Sequence, residues 1–176
     1  FTVTVTDDLG GTTTQQIDLT MAAAEDQTSA GLMLPKPGKR PQRRKLATPS
    51  MIGDLKIKFM VIGTNKKDKL TGTRSSDLIT GHGKKDKLSS GKGKKGDVFL
   101  LSTEQLGKRH GDLIVDFQPG DLIALDLETF PRGAKTKFKL VKKSNQLNRF
   151  ASKKHELIYD ISKGELHFNE NGKAKG

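Results

Sequence analysis

Three aspartates, Asp68, Asp77 and Asp86, stand nine residues apart. A glycine precedes each by five positions (Gly63, Gly72, Gly81), and an aliphatic residue follows each by two (Leu70, Ile79, Leu88). The units read Gly63-Thr-Asn-Lys-Lys-Asp68-Lys-Leu70-Thr71, Gly72-Thr-Arg-Ser-Ser-Asp77-Leu-Ile79-Thr80 and Gly81-His-Gly-Lys-Lys-Asp86-Lys-Leu88-Ser89. A fourth, distorted unit runs from Ser90 to Phe99 and keeps the ending Asp97-Val98-Phe99 despite a small insertion. Self-similarity at a fixed period is the mark of a coiled repeat. Carboxylates beside turn carbonyls are hard oxygen donors, and calcium takes roughly six to eight of these in a flexible cage.

The residue types assign the parts of each unit. Glycine at the head admits a turn with positive φ. The eighth residue points inward from a short strand and stacks on its neighbours. The aspartate sits where turn gives way to strand. If one coil consumes two units, turns alternate between two edges and like turns stack two units apart. Asp68 then lies over Asp86 on one edge, and Asp77 over Asp97 on the other. At most two calcium sites are expected, the Asp68/Asp86 site better formed, with backbone carbonyls near Gly63, Asn65, Gly72, Gly81 and Gly83 completing the donor set.

This stretch resembles the hemolysin-type, or RTX, calcium-binding nonapeptide repeats of type I-secreted bacterial proteins. Downstream, Asp112-Leu-Ile-Val-Asp116-Phe117 looks like the segment that caps the roll in that family. Leu157-Ile-Tyr-Asp160 and Gly164-Glu-Leu-His-Phe168 resemble the hairpin beyond it, so the likeness covers about residues 57–172. It implies a secreted, extracellular or cell-surface bacterial module that folds as calcium closes its turns, with no catalytic role in this piece of chain. Departures from the pattern are specific. Lys66, Ser75 and Lys84 replace the fourth-position glycine, and Thr64, Thr73 and His82 the second. Nine lysines (66, 67, 69, 84, 85, 87, 92, 94 and 95) crowd the turns. Their repulsion of a dication predicts affinity no tighter than roughly 10⁻⁴ to 10⁻³ M, unless they splay into solvent. The competing expectation is a degenerate roll without metal, acting as an adhesive module for an anionic polysaccharide or cell surface, with nucleic acid disfavoured as a partner.

The elements that would position these turns are all β. The expected architecture is a short parallel β-roll capped by an antiparallel β region, with an N-terminal isolated hairpin and a linker. Residues 1–21 alternate around the turn Asp7-Asp-Leu-Gly-Gly11 and read as a hairpin. They resemble the end of a cadherin-like or VCBS-type sandwich repeat, and opening in mid-strand at Phe1 they read as part of something longer. Residues 22–54 carry Pro35, Pro37, Pro41 and Pro49 and a run of basic residues, and are expected to form a basic linker. The roll is expected over 55–102 and the antiparallel cap over 103–176. In that cap, strands 113–117 and 122–126 flank the turn Gln118-Pro-Gly-Asp121, strand 138–141 follows, and a hairpin turns about Gly164.

Composition bounds the rest. The chain of 176 residues is only 32% hydrophobic, lacks cysteine and tryptophan, and contains 19 glycines. No disulfide is possible, so a small extracellular module must draw stability from repetition or a metal. No apolar run is long enough to span a membrane. The net charge of +12 attracts polyanions. His82, His110, His155 and His167 form no zinc-type spacing, and no phosphate loop, dinucleotide fingerprint or nucleophile elbow occurs.

Overall fold

The computed structural model describes residues 2–6, 12–16, 18–19, 36–102, 111–125, 138–147, 157–160, 162 and 165–168. The turn at 7–11, the first part of the expected linker (22–35), His110, His155 and Asp126 lie outside them. The chain divides into two compact units, Phe1–Phe130 and Pro131–Gly176. The fold is all-β, with parallel strands in mixed sheets.

In the first unit, the repeats form alternating strands of a roll: β6 (Lys69–Thr71), β7 (Asp77–Thr80), β8 (Lys87–Ser89) and β9 (Val98–Leu101). Pairing skips one unit, as two units per coil requires. Parallel β6 and β8 register Leu70 on Leu88, and parallel β7 and β9 register Ile79 on Phe99. The eighth residues of all four units are buried. With Val61 they form the interior of the roll, and Ile114 and Phe117 close it from below. The Phe99 and Phe117 rings tilt against each other with centroids 6.1 Å apart.

Two more strands extend the coil beyond the expected boundary at residue 102. β10 (Leu113–Ile114) pairs parallel to β8, and β11 (Leu122–Leu125) pairs parallel to β9. They join opposite sheets and do not form an antiparallel cap. The backbone shows why: the Leu113 amide donates to the Asp86 carbonyl at 2.9 Å, and the Leu122 amide to the Asp97 carbonyl at 2.8 Å. Each segment thus begins its strand where a repeat strand begins, one coil earlier.

The expected linker also changes character within its length. Gln42–Ile52 is a strand, β4, running antiparallel to β5 (Leu55–Ile62), and β5 in turn pairs parallel to β7. Pro49 is tolerated because the register shifts between Lys45 and Ser50, a bulge where no ladder amide is demanded. The basic residues of this segment sit on its solvent side, with Arg43, Arg44 and Lys45 exposed while Leu46 and Ile52 are partly buried. Charge concealed a strand that has one apolar face.

The six-stranded sheet runs in the order β3-β11-β9-β7-β5-β4, where β3 is Asp18–Leu19. Its outer face carries a second apolar cluster of Ile57, Met60, Ile62, Leu78, Val98, Leu122 and Ala124. Leu46, Ile52 and Leu55 of the β4–β5 hairpin pack on that cluster, and the hairpin tip at Gly53 lies beside Leu122. Among the described residues, the three-stranded sheet β10-β8-β6 has no such layer, and Lys69, Lys87 and Leu113 are exposed on it. The N-terminal hairpin pairs β1 (Thr2–Thr6) with β2 (Thr12–Gln16). In the second unit, β12 (Phe138–Val141) lies parallel to β13 (Leu157–Asp160), which pairs antiparallel with β14 (Glu165–Phe168). The latter pair is the hairpin expected around Gly164.

Candidate functional site

Each repeat aspartate stands one residue or less ahead of its strand, so the coil pairing stacks the aspartates as it stacks the strands. Asp86 Oδ1 accepts the backbone amide of Asp68 at 2.7 Å, and Asp97 Oδ1 accepts that of Asp77 at 2.7 Å. The two expected pairs are therefore brought together, one on each edge. Both ladders continue by one member. Asp112 Oδ1 accepts the Asp86 amide at 2.9 Å, and Asp121 Oδ1 accepts the Asp97 amide at 2.8 Å. The result is two three-step columns, Asp68-Asp86-Asp112 and Asp77-Asp97-Asp121, in which one carboxylate oxygen holds the coil above.

Sequence reasoning left Asp112 and Asp121 in the cap and missed them as ladder members. The signal was present. Gly107, Asp112 and Ile114 repeat the three-point pattern of the earlier units, and Asp121 with Ile123 follows nine residues later. The insertions between Ser90 and Asp112 hid the period.

The second carboxylate oxygens divide into two classes. Asp68 Oδ2 accepts the Thr64 amide at 2.6 Å and the Thr64 hydroxyl at 2.8 Å. Asp77 is closed by the Thr73 amide on Oδ2 and, at 3.0 Å, by the Thr73 hydroxyl on Oδ1. Each threonine oxygen also accepts an amide two residues on, from Lys66 and Ser75 respectively, both at 3.0 Å. Asp121 Oδ2 accepts the Gln118 amide at 3.0 Å. By contrast, Asp86 Oδ2 and Asp97 Oδ2 are buried with no hydrogen-bond partner. Asp86 and Asp97 are each only 1% exposed, so these oxygens are not compensated by bulk water. A buried polar atom without a partner costs roughly 1–3 kcal/mol, more when charged.

Glycine is required where these oxygens converge. A Cβ on Gly81 would collide with Asp86 Oδ2 and come within 2.7 Å of Asp112 Oδ2. One on Gly72 would meet the Ser90 carbonyl at 2.5 Å and Asp77 Oδ2 at 2.9 Å. The Gly81 carbonyl lies against Gly63 in the same manner. Carboxylate and carbonyl oxygens thus crowd the turn backbone on both edges.

Electrostatics follow from this stacking. Burial raises Asp86 to about 6, opposed by the amide of Asp68 and reinforced by that residue's charge. Burial likewise raises Asp97 to about 7, with the charges of Asp77, Asp121 and Asp116 adding to it. Asp112 is raised to about 7 by burial and the charge of Asp86. Burial also lifts Asp77 and Asp121 above the ordinary range. Asp116 goes the other way. Burial is outweighed by donors from the Ser89 hydroxyl at 2.6 Å, the Ser90 amide at 2.8 Å and the Gly91 amide at 3.2 Å, which hold it below the usual carboxylate value. This carboxylate closes the distorted turn at 89–91 as an internal anion.

The donor set around Asp86 and Asp97 is all oxygen and suits a hard cation. Among the described residues, no three His, Asp or Glu side chains converge as a chelating cluster. A cation here would therefore draw on backbone carbonyls as well as the stacked carboxylates. The nine turn lysines are all exposed, directed away from the ladders. Among the described residues, no helix is long and apolar enough to cross a membrane. In comparisons with known proteins, the chain matches no family model, no curated protein and no solved structure.

Proposed function

We propose that the roll is a calcium-holding structural module of a secreted or cell-surface protein, as the likeness to nonapeptide repeats implies. The observation that carries this reading is the pair of buried, unpartnered carboxylate oxygens on Asp86 and Asp97. Each sits mid-column where burial first, and like charges second, raise its proton affinity, an environment that a divalent cation would neutralise. Asp86 and Asp97 would hold the ion, with Asp112, Asp121 and nearby turn carbonyls as neighbours. A bound calcium ion supplies charge compensation and ties adjacent coils, so binding energy becomes folding energy. Affinity in the range of roughly 10⁻⁴ to 10⁻³ M is expected, that of extracellular modules.

Isothermal titration of the full chain with calcium chloride tests this reading, together with thermal melting in calcium and in chelator. Saturable heat and a raised melting temperature are expected. No heat and no shift at millimolar calcium would overturn it.

A second reading has its own support. Lys69 registers directly on Lys87 in neighbouring strands, and both are exposed beside exposed Lys66, Lys67, Lys84 and Lys85. Stacked strands stand about 4.8 Å apart, so this edge presents closely spaced rows of positive charge to an anionic polysaccharide. Retention on heparin that persists in chelator and falls steeply with salt is the outcome that favours it.

A further inference from the structure

The four repeat turns share a pattern, yet only Asp86 and Asp97 keep a buried carboxylate oxygen without a partner, and the difference follows the side chain and backbone at the start of the turn. In the turns before Asp68 and Asp77, the residue after the leading glycine is threonine, whose amide and hydroxyl both donate to the aspartate. In the turn before Asp86 that position is His82, with no hydroxyl and with its backbone at φ 64°. The turn before Asp97 runs Gly91-Lys92-Gly93-Lys94-Lys95-Gly96 and contains no hydroxyl at all. Of the four repeat aspartates, Asp86 and Asp97 are the ones whose Oδ2 stays buried and unpartnered.

We propose that the second residue of each turn decides which carboxylates take a cation: threonine closes Asp68 and Asp77 from within, and its absence reserves Asp86 and Asp97 for one ion on each edge. This rests on the calcium reading and deepens it. Donor hydrogens from Thr64 and Thr73 already point at the carboxylates of Asp68 and Asp77. A cation at those oxygens would meet the positive ends of the same dipoles and would have to break both bonds. At Asp86 and Asp97 nothing must be broken, and the lone pairs already lie in a site without water contact. The first two turns are therefore held without metal, and dependence on calcium is confined to the later coils.

Calcium titration of the full chain and four variants tests this, with far-ultraviolet circular dichroism confirming that each variant keeps its β signal. Asp86→Asn and Asp97→Asn are each expected to remove one of the bound ions, whereas Asp68→Asn leaves the number unchanged. His82→Ser supplies a hydroxyl at the repeat position that is threonine in the first two turns and is expected to weaken one site about tenfold. Loss of an ion in Asp68→Asn, or an unaltered isotherm in His82→Ser, would overturn the assignment. If Asp68→Asn does not fold, His82→Ser decides alone. Failure of the calcium reading is distinct from failure of this assignment, because it shows as no uptake by the unsubstituted chain, and that result overturns both.

Discussion

The two sheets of the roll are written in the same nine-residue pattern but live in different surroundings. On β6 and β8 the seventh residues are Lys69 and Lys87, both exposed. On β7 and β9 the corresponding residues are Leu78 and Val98, at 1% and 0% exposure. The inward eighth residues are alike on both sides. What differs is the β4–β5 hairpin, which lays Leu46, Ile52 and Leu55 over one sheet, while no described residue forms such a layer on the other. A repeat therefore specifies the inside of the coil, while the outside answers to whatever packs against it.

The comparison breaks most sharply if the seventh residues are exchanged. Leu78→Lys places a charge without a partner in the covered layer and is expected to cost at least about 3–5 kcal/mol, enough to unfold a small module in denaturant titration. Weakening the cover itself should do less. Ile52→Ala removes a partly buried side chain from the hairpin and is expected to lower stability by about 1–2 kcal/mol, read from the midpoint of urea unfolding.

The ladders lie on both edges and should respond to pH together. Asp86, Asp97 and Asp112 have folded-state values raised above the ordinary 3.8, to about 6, 7 and 7. The folded chain thus holds protons between pH 4 and 7 that the unfolded chain has released. Its stability is fully present below the unfolded value and is lost as pH rises through about 6 to 7. In chelator, the melting temperature is expected to fall from pH 5 to pH 8, and calcium should reduce that fall. A melting temperature that rises over this interval in chelator would contradict the burial of these carboxylates. Smallest of all is the reverse exchange on the other sheet: Lys87→Leu is expected to change stability by no more than about 0.5 kcal/mol.

Much of the coil is legible in the sequence. The spacing of Asp68, Asp77 and Asp86 predicts pairing across two units, and Leu70 does register on Leu88. The hairpin of β13 and β14 is readable from alternation around a glycine. β4 was obscured because arginines and Pro49 dominate its composition, although its charges only occupy the solvent side and its proline a bulge. The cap was misjudged because local turn chemistry at Gln118–Asp121 suggested a hairpin. Parallel pairing of β10 and β11 depends on partners at Asp86 and Asp97 that are distant in sequence.

By itself the sequence determined the period, the inward stack and the two stacked aspartate pairs, Asp68 with Asp86 and Asp77 with Asp97, because each depends only on residue type at a regular interval. Tertiary structure decided which sheet is covered and that Asp112 and Asp121 extend the aspartate columns. Those outcomes depend on where a distant hairpin or a later strand falls in space. The closing threonines are written at the second position of their units, but only the folded turn shows their amide and hydroxyl reaching the aspartate.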